Sequence, residues 1–177
     1  MKNKLSVIVS DFDDTLFFIN DSIRAASLEV IGKEFNQHEV KKMSRDIKSK
    51  IYDTAHTKYW HMAIANLPAI DYVKKMQAEG YETIIMSARG EEHRQIMAGM
   101  LSSVGLEYKE MILTPDHSIS DEKWKLSEFE KLLDRYPKVM ALEDRKENIN
   151  YILDRVDAKR LEFYHVDRGE IKKVERN

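Results

Sequence analysis

The chain has 177 residues, of which 42% are apolar and 34% are charged, and its net charge is −2. This composition is that of a globular protein with room for one sizeable core, and the charge balance gives no whole-protein attraction to nucleic acid or anionic membranes. The lack of cysteine excludes disulfides, thiolate metal sites and cysteine nucleophiles. No stretch approaches the ~20 apolar residues of a membrane span, so we expect a cytoplasmic protein without a membrane partner.

The first predicted strand covers residues 6–9 and is followed at once by acidic side chains. Its β-branched, apolar character is typical of a strand buried on both faces. Asp11, Asp13 and Asp14 come next, and Thr15 closes the motif. These carboxylates repel one another, and a divalent cation would turn the repulsion into attraction. We therefore predict an acidic Mg²⁺ site here, the alternative being an Asp-rich turn after an edge strand.

Helix signals dominate residues 18–66. Apolar residues recur at helical spacing, Asn36 and Glu39 form a plausible capping pair, and one apolar stripe is predicted to continue over 40–51. A further helical stretch is predicted over 54–66. Nothing in this segment alternates with period two, so we predict an all-helical insert.

After this insert the chain alternates strands with helices. Strands are predicted at 83–86, 111–113, 139–142 and 161–166, with a short hairpin strand at 171–174. Such alternation implies a parallel sheet with right-handed crossovers. We therefore predict an α/β fold, with a Rossmann-like parallel sheet and helices on both faces in a core at 1–17 and 67–177. The small all-helical cap at 18–66 is inserted after strand one.

Polar residues end three of the predicted strands: Asp11, Ser87 and Asp144. Parallel strands present their carboxyl ends at one edge of the sheet, which is also where open α/β sheets bind ligands. We therefore expect these three side chains to surround one crevice.

The order of these motifs resembles that of the haloacid dehalogenase superfamily, in its phosphatase branch. The matching features are Asp11-Phe12-Asp13-Asp14-Thr15 after a hydrophobic strand, Ser87 ending a second strand, a lysine before the last motif, and the pair Glu143-Asp144 after a third strand. The resemblance covers residues 4–16 and 68–166. Members that cleave carbon–halogen bonds lack the second aspartate, so Asp13 implies phosphate-ester chemistry, with phosphomutases as the less common outcome.

The resemblance implies separate catalytic roles. Asp11 would be the nucleophile that attacks phosphorus and becomes an aspartyl phosphate. Asp13 would be the general acid for the leaving alcohol and then the base that activates water. Lys125 would stabilise the charge of the transferred group.

The resemblance also implies the ligands of substrate and metal. Thr15 should fix the loop, and Ser87, the amide of Ala88 beside it and Arg89 are the candidates for binding the phosphoryl group. The candidate ligands of Mg²⁺ are Asp11, the backbone carbonyl of Asp13, Asp144 and Glu143.

The lysine is ambiguous, because Lys123 and Lys125 flank Trp124. Lys125 shares a helical face with Phe129 and Leu132, and that face should pack on the sheet. Lys125 is therefore preferred, and Lys123 stays open as the alternative.

The last motif departs from the commoner pattern of paired aspartates. Asn148 stands where many members have a further acid, so either the metal affinity is lower or Glu143 supplies the second carboxylate. Arg89 and Arg145 each follow a motif closely, as in the phosphatase half of polynucleotide end-processing enzymes. Surface salt bridges are the alternative for both arginines.

The insert is similar to the small helical cap that many members carry, which closes over the crevice and contacts the leaving group. A basic helix face that either attracts a polyanion or is simply solvated is predicted for Lys41, Lys42, Arg45 and Lys48. Aromatic residues that either stack on a base or form the cap's own core are Tyr52, Tyr59, Trp60 and His61. Histidines predicted to be structural or at the surface are His56, His61, His93, His117 and His165.

Three functions are compatible with these observations. The favoured one is a Mg²⁺-dependent phosphatase, a phosphoric monoester hydrolase acting on a small phosphate ester such as a nucleotide. A polynucleotide 3′-end phosphatase is the second, but the net charge and the cap weigh against a nucleic-acid partner. The third, a catalytically silent binding module, is least favoured because the five polar residues of the motifs are all present: Asp11, Asp13, Ser87, Lys125 and Asp144. Neither the substrate nor the oligomeric state follows from the sequence.

Overall fold

The first predicted strand lies at the centre of a six-stranded sheet in the computed structural model, which describes residues 6–115, 118–156 and 159–175. The strands are β1 (Val7–Ser10), β2 (Phe17–Phe18), β3 (Ile64–Ala65), β4 (Glu82–Ser87), β5 (Glu110–Leu113), β6 (Val139–Glu143), β7 (Leu161–Asp167) and β8 (Glu170–Lys173). The order in the large sheet is β5-β4-β1-β6-β7-β8, and only β8 pairs antiparallel. The predicted parallel sheet and its closing hairpin are therefore confirmed.

Seven α-helices surround and cap this sheet in the described part of the chain. They are α1 (Asn20–Ile31), α2 (Gln37–Val40), α3 (Arg45–Thr57), α4 (Leu67–Ala78), α5 (Arg94–Ser103), α6 (Asp121–Arg135) and α7 (Lys146–Leu153). Because strand side chains alternate between faces, Ile8 of β1 joins the apolar cluster under α4 and α5, whereas Val7 and Val9 join the cluster under α6 and α7. Helices cover both faces, which confirms the predicted Rossmann-like α/β fold.

None of the helices in the described ranges combines the length and apolar character that a bilayer crossing requires.

The cap has its own small core, made by α1, α2 and α3 around residues such as Ile23 and Ile51. The capping pair is confirmed: the Asn36 side chain accepts the backbone N–H of Glu39 at 3.0 Å, and the Glu39 carboxylate accepts that of Asn36 at 2.8 Å. The two helices that pack most extensively in the cap are α1 and α3.

Three expectations for the helices of the cap are wrong. The stripe over 40–51 is not one helix, because α2 ends at Val40 and α3 begins only at Arg45. The basic residues at 41, 42, 45 and 48 therefore do not share a face of one helix. The helix over 54–66 is also wrong, since α3 ends at Thr57 and a short 3₁₀ helix, Trp60–Met62, follows.

The insert is not all-helical, because a two-stranded antiparallel ribbon closes its base. Phe17 pairs with Ala65, and Phe18 pairs with Ile64. Next to the ribbon, the backbone N–H of Asn66 donates to the carbonyl of Leu16 at 2.8 Å. Two-residue strands are too short to show alternation, so the period-two pattern could not reveal them.

Candidate active site

Asp11 lies where β1 ends, held by backbone and side-chain contacts. Its N–H donates to the carbonyl of Leu142 in β6 at 3.0 Å, which fixes the backbone at the edge of the sheet. Its carboxylate is largely buried, and Oδ2 accepts a hydrogen bond from the Thr15 hydroxyl at 3.2 Å. This hydrogen bond ties Thr15 to Asp11 across the loop.

Lys125 is the lysine that reaches the crevice. It is 2% exposed, and its ammonium donates to Asp11 Oδ1 and to Glu143 Oε2, both at 2.8 Å. Lys123, two residues earlier on α6, is exposed. Phe129 and Leu132, on the same helix face as Lys125, are buried in the core beneath α6. The predicted face therefore packs on the sheet, and Lys125 points inward.

An acidic cluster surrounds this ammonium. Asp11, Glu143 and Asp144 each place one carboxylate oxygen so that the three oxygens lie within 4.8 Å of one another. Glu143 is nearly fully buried, and its Oε1 accepts hydrogen bonds from the Asn148 side chain at 2.9 Å and from the Arg145 backbone at 3.3 Å. The structure thus brings together the predicted first and last motifs. Asn148 orients the Glu143 carboxylate through its hydrogen bond.

The negative charge of this cluster exceeds what Lys125 neutralises. Burial raises the pKa of Asp11 well above its usual value; Lys125 opposes the rise, while Glu143 and Asp144 add to it. Burial, and then the charges of Glu143 and Asp14, raise the pKa of Asp144 to about 8. The pKa of Lys125 is also raised well above its usual value, since burial would lower it but Asp11 and Glu143 outweigh that effect. A cation beside these carboxylates would favour their charged form and so oppose the effect of burial on the carboxyl pKa values.

The donor set fits Mg²⁺. Hard divalent cations take oxygen ligands, mostly carboxylates and carbonyls, and the clustered groups are carboxylates. Both oxygens of Glu143 already accept hydrogen bonds from Lys125 and Asn148. Glu143 accepts three such bonds in all, whereas Asp11 accepts one at each oxygen, from Lys125 and Thr15. Asp11 and Asp144 are therefore the more available ligands, with Glu143 orienting the lysine beside them.

Asp13 turns its carboxylate away from the acidic cluster, toward Arg89. The Arg89 guanidinium donates from Nε to Oδ2 at 3.0 Å and from Nη2 to Oδ1 at 2.6 Å. Burial raises the pKa of Asp13, but the charges of Arg89 and then His56 outweigh it, so the pKa lies below its usual value. Arg89 was predicted to bind substrate or form a surface salt bridge; the structure places its buried guanidinium in an ion pair with the partly exposed Asp13.

The remaining predicted substrate ligands lie at the end of β4. Ser87 is buried, and its hydroxyl oxygen accepts the backbone N–H of Arg89 at 3.2 Å. Ala88 between them is exposed. Ser87 and Asp11 stand on neighbouring strands, because β4 pairs with β1, so the three motif strands do end at one edge.

Asp14 directs the chain into the cap. Its φ is +60°, in the left-handed region that aspartate tolerates better than most residues. Its backbone N–H donates to the carbonyl of Phe17 at 2.7 Å, and its Oδ1 accepts the N–H of Ile19 at 3.3 Å. Asp14, for which the sequence indicates no chemical role, thus builds the turn from the loop after β1 into the cap.

The cap contributes one group that the sequence did not single out. His56 of α3 is buried, and its Nε2 lies 3.8 Å from Asp13 Oδ2. Its ring meets His93 of the core edge-on, with 5.2 Å between ring centroids. The prediction that these two histidines are merely structural missed this contact, and His117 lies outside the described residues. The helical spacing of Ile51 and Ala55 indicates which face of α3 is buried. It does not indicate that His56 lies close to Asp13.

The aromatic residues of the cap separate into two places. Tyr52 lies near the acidic loop: burial, and the nearby charges of Asp14 and Asp13, raise its pKa to about 12. Tyr59 instead donates its hydroxyl to Glu29 of α1 at 2.5 Å, and Trp60 is 39% exposed. Tyr52 also meets His56 edge-on, with 5.7 Å between ring centroids, which places it beside the ring that faces Asp13.

Neither a protein-family model nor a curated protein sequence matches the chain. Solved structures do resemble it. A haloacid dehalogenase-like hydrolase from Bacteroides fragilis aligns over 94% of this chain and 89% of its own, with a TM-score of 0.64 and 14% identity. A haloacid dehalogenase-like family protein from Streptococcus pneumoniae aligns over 85% and 81%, with a TM-score of 0.60 and 14% identity. The chain has the haloacid dehalogenase-like fold.

This fold also occurs within a larger protein assembly. A chain of the Pnkp1/Rnl/Hen1 complex matches 94% of this chain with a TM-score of 0.61 and 18% identity. The match covers 47% of that chain, so the protein spans about half its length. The resemblance that the motifs implied is confirmed at the level of the haloacid dehalogenase-like fold.

Proposed function

We propose that the chain is a Mg²⁺-dependent phosphatase that hydrolyses a small phosphate monoester through an aspartyl phosphate at Asp11. The observation that carries this proposal is the Asp11 carboxylate at the end of the central strand, with the buried Lys125 ammonium 2.8 Å from one oxygen and Glu143 and Asp144 beside it. Such a carboxylate has a fixed direction and a positive neighbour that can also face an incoming phosphoryl group. The fold, shared with haloacid dehalogenase-like hydrolases, supports the proposal.

In the first step an oxygen of Asp11 attacks phosphorus, and the bond from phosphorus to the ester oxygen breaks. The electron pair of that bond goes to the leaving oxygen, which takes a proton from Asp13. Because Asp13 is a carboxylate beside Arg89 in the structure, it must first take up that proton from the monoanion of the phosphate ester. Lys125 and the N–H groups after Ser87 face the charge of the transferred group. Asp11 and Asp144 would hold Mg²⁺, which would supply positive charge to neutralise the transferred phosphoryl oxygens.

In the second step water attacks the aspartyl phosphate. Asp13 accepts the proton of the water, Asp11 leaves as a carboxylate, and inorganic phosphate is released. Arg89 holds Asp13 as a carboxylate in the structure, which is the form needed to accept that proton. The cap excludes bulk water from these steps while it is closed.

A nucleotide is the substrate class that the cap supports best. Tyr52 lies beside the acidic loop, where an aromatic ring can stack on a base. The chain's net charge of −2 and a cap over the crevice favour a small ester over a polymer.

A polynucleotide 3′-end phosphatase is a second candidate. It is favoured by the likeness to a chain of an RNA repair complex, which aligns over 85% of this chain with a TM-score of 0.58. Arg89 and Arg145 after the motifs are consistent with it, although Arg145 pairs with Asp121 at 3.2 Å.

A phosphatase screen with Mg²⁺ tests both candidates. Mononucleotides, sugar phosphates and 3′-phosphorylated oligonucleotides are compared by release of inorganic phosphate. We expect turnover of a mononucleotide and its complete loss in Asp11→Asn, with circular dichroism as the control for folding. Faster turnover of the oligonucleotide would favour the second candidate. Turnover of none of the three by folded protein, or largely retained activity in Asp11→Asn, would contradict the mechanism.

A further inference from the structure

The ion pair between Arg89 and Asp13 has a bidentate geometry. Two donors of one guanidinium edge meet the two carboxylate oxygens, at 3.0 Å from Nε to Oδ2 and at 2.6 Å from Nη2 to Oδ1. Paired parallel hydrogen bonds of this kind fix the plane and direction of a carboxylate as well as its charge. The side chain of Arg89 is 2% exposed and that of Asp13 is 23% exposed, so the guanidinium is shielded from solvent while the carboxylate is partly open to it.

Arg89 is itself held in place from several sides. Its guanidinium lies over the Phe12 ring, 4.9 Å from the ring centroid. Its backbone N–H donates to the Ser87 hydroxyl at 3.2 Å, and its carbonyl accepts the N–H of Thr114 at 3.1 Å. The arginine is therefore a rigid support, and Asp13 is the group that it supports.

This geometry leaves one nitrogen of the Arg89 guanidinium, Nη1, without a partner in the described part of the chain. Nε and Nη2 are occupied by Asp13, and Nη1 is buried. A guanidinium that binds a phosphoryl group would present its open edge to the crevice instead. The arrangement thus differs from the substrate-binding role that the motif implied.

The pair also lies at the junction of cap and core. His56 of α3 places Nε2 3.8 Å from Asp13 Oδ2, and Asp53, one turn earlier on α3, lies 3.7 Å from Nε2 of His93 in the core. The Asp13 carboxylate is therefore oriented by the core through Arg89 and faces the cap, which is the side where a leaving group would lie.

We propose that Arg89 is a positioning residue: it directs the Asp13 carboxyl at the ester oxygen of the leaving group and does not bind the transferred phosphoryl group. The inference rests on the proposed phosphatase function. In the step concerned, the proton moves from Asp13 to the ester oxygen as the bond to phosphorus breaks. Misdirecting Asp13 slows that transfer and, in the second step, the deprotonation of water, while the alignment of Asp11 with phosphorus is unaffected.

Two esters with different leaving groups separate this role from phosphate binding. The phenolate of p-nitrophenyl phosphate leaves readily without a proton, whereas the alkoxide of an alkyl ester such as a mononucleotide needs one. The measured quantity is kcat/KM, which covers the reaction up to departure of the leaving group. Arg89→Lys keeps the charge but loses the planar fork, and Arg89→Gln loses both. Arg24→Lys, in an exposed pair with Glu34 on the cap, is the matched control.

We expect Arg89→Lys to lower kcat/KM for the mononucleotide about 10- to 100-fold, since a misplacement of about 1 Å can cost a factor of this size, and to change p-nitrophenyl phosphate far less. Arg89→Gln should show the same contrast, and Arg24→Lys should match the wild type on both esters. In an Asp13→Asn background, which has no acid to position, adding Arg89→Lys should cause little further loss.

Equal losses on both esters, or losses that multiply with those of Asp13→Asn, would show that Arg89 binds the phosphoryl group and would overturn the inference. Wild-type protein that hydrolyses neither ester would instead refute the proposed function on which it rests. Thermal unfolding of each variant shows whether it is folded. If Arg89→Lys does not fold, the same contrast in Arg89→Gln decides.

Discussion

Replacing Lys125 with methionine is the most direct test of the charge balance in the crevice. Methionine keeps the length and apolar stem of the side chain but removes the ammonium that donates to Asp11 and Glu143 at 2.8 Å. Those carboxylates then face one another and Asp144 without their shared cation. Because Lys125 is 2% exposed, water does not replace the lost contacts.

The size of the effect follows from this burial. Removing one partner of a buried ion pair costs about 3–5 kcal/mol, because the remaining charge is left uncompensated. In a chain of this length about 1 kcal/mol corresponds to about 2–4 °C in melting temperature, so we expect Lys125→Met to melt about 6–20 °C below the wild type. Turnover should fall about 10²- to 10³-fold, which is typical for the loss of one group that stabilises transition-state charge.

The pH dependence has a definite sign. Without the ammonium, the folded-state pKa of Asp11 rises further above its unfolded value, so the folded protein binds more protons than the unfolded chain. Stability is then lost as the pH rises from the unfolded pKa toward the folded one. The loss of stability of Lys125→Met relative to the wild type should therefore be smaller in mildly acidic buffer than in alkaline buffer.

The assay is thermal unfolding of Lys125→Met beside Lys123→Met, with and without Mg²⁺. Lys123 is exposed on the same helix, so its variant should melt like the wild type. Mg²⁺ should restore more stability to Lys125→Met than to the wild type, because the cation takes the place of the lost charge. Equal melting temperatures of the two variants would refute the proposed charge balance.

Three further predictions concern the metal, the turn and the core. Mg²⁺ binding should release protons and weaken as the pH falls below about 8, where Asp144 takes up a proton in the metal-free protein; calorimetry in buffers of different ionisation enthalpy measures this release, and binding without it would contradict the assignment. Asp14→Ala should lower the unfolding free energy by about 1–2 kcal/mol, since alanine is strained at a φ of +60° and loses the contact to Ile19. Asp14→Gly should lower it less, because glycine adopts this φ without strain. If urea unfolding showed the alanine variant to be at least as stable as the glycine variant, the role of the turn would be contradicted. Phe163→Ala should cost about 3–5 kcal/mol, because this ring is 1% exposed and packs edge-on against Phe129 with centroids 5.3 Å apart; a cost in urea below about 1 kcal/mol would mean that the site collapses around the missing ring.

The core was predictable because its signals are local and repeated. Buried apolar runs ending in polar residues indicated β1, β4 and β6 and, through the geometry of parallel strands, one shared edge. The prediction placed the first strand at 6–9, and the structure has it at Val7–Ser10. A shift of this size leaves Asp11 at the strand end, so the site could be assembled from the motifs.

The cap and the Asp13 pair were less accessible for physical reasons. Between α2 and α3 the turn interrupts an apolar stripe that is continuous in spacing, although Ser44 before Arg45 with Asp46 in the first turn is a helix-start signal. Arg89 and Asp13 are 76 positions apart, and the direction in which a carboxylate turns depends on neighbours from other elements. Sequence spacing locates such residues at one edge but does not say which side chains pair.

The ribbon at the base of the cap has a consequence for how this protein can change. Phe17 and Phe18 pair with Ala65 and Ile64, and Asn66 bonds the backbone of Leu16, so the chain leaves the core and re-enters it at neighbouring points. Insertions are best tolerated where chain ends lie close together and few contacts are disturbed. We therefore expect that the intervening segment can be replaced without disturbing the core. We expect grafted caps of other lengths to alter which leaving group is accepted, with the positions of Asp11 and Lys125 unchanged.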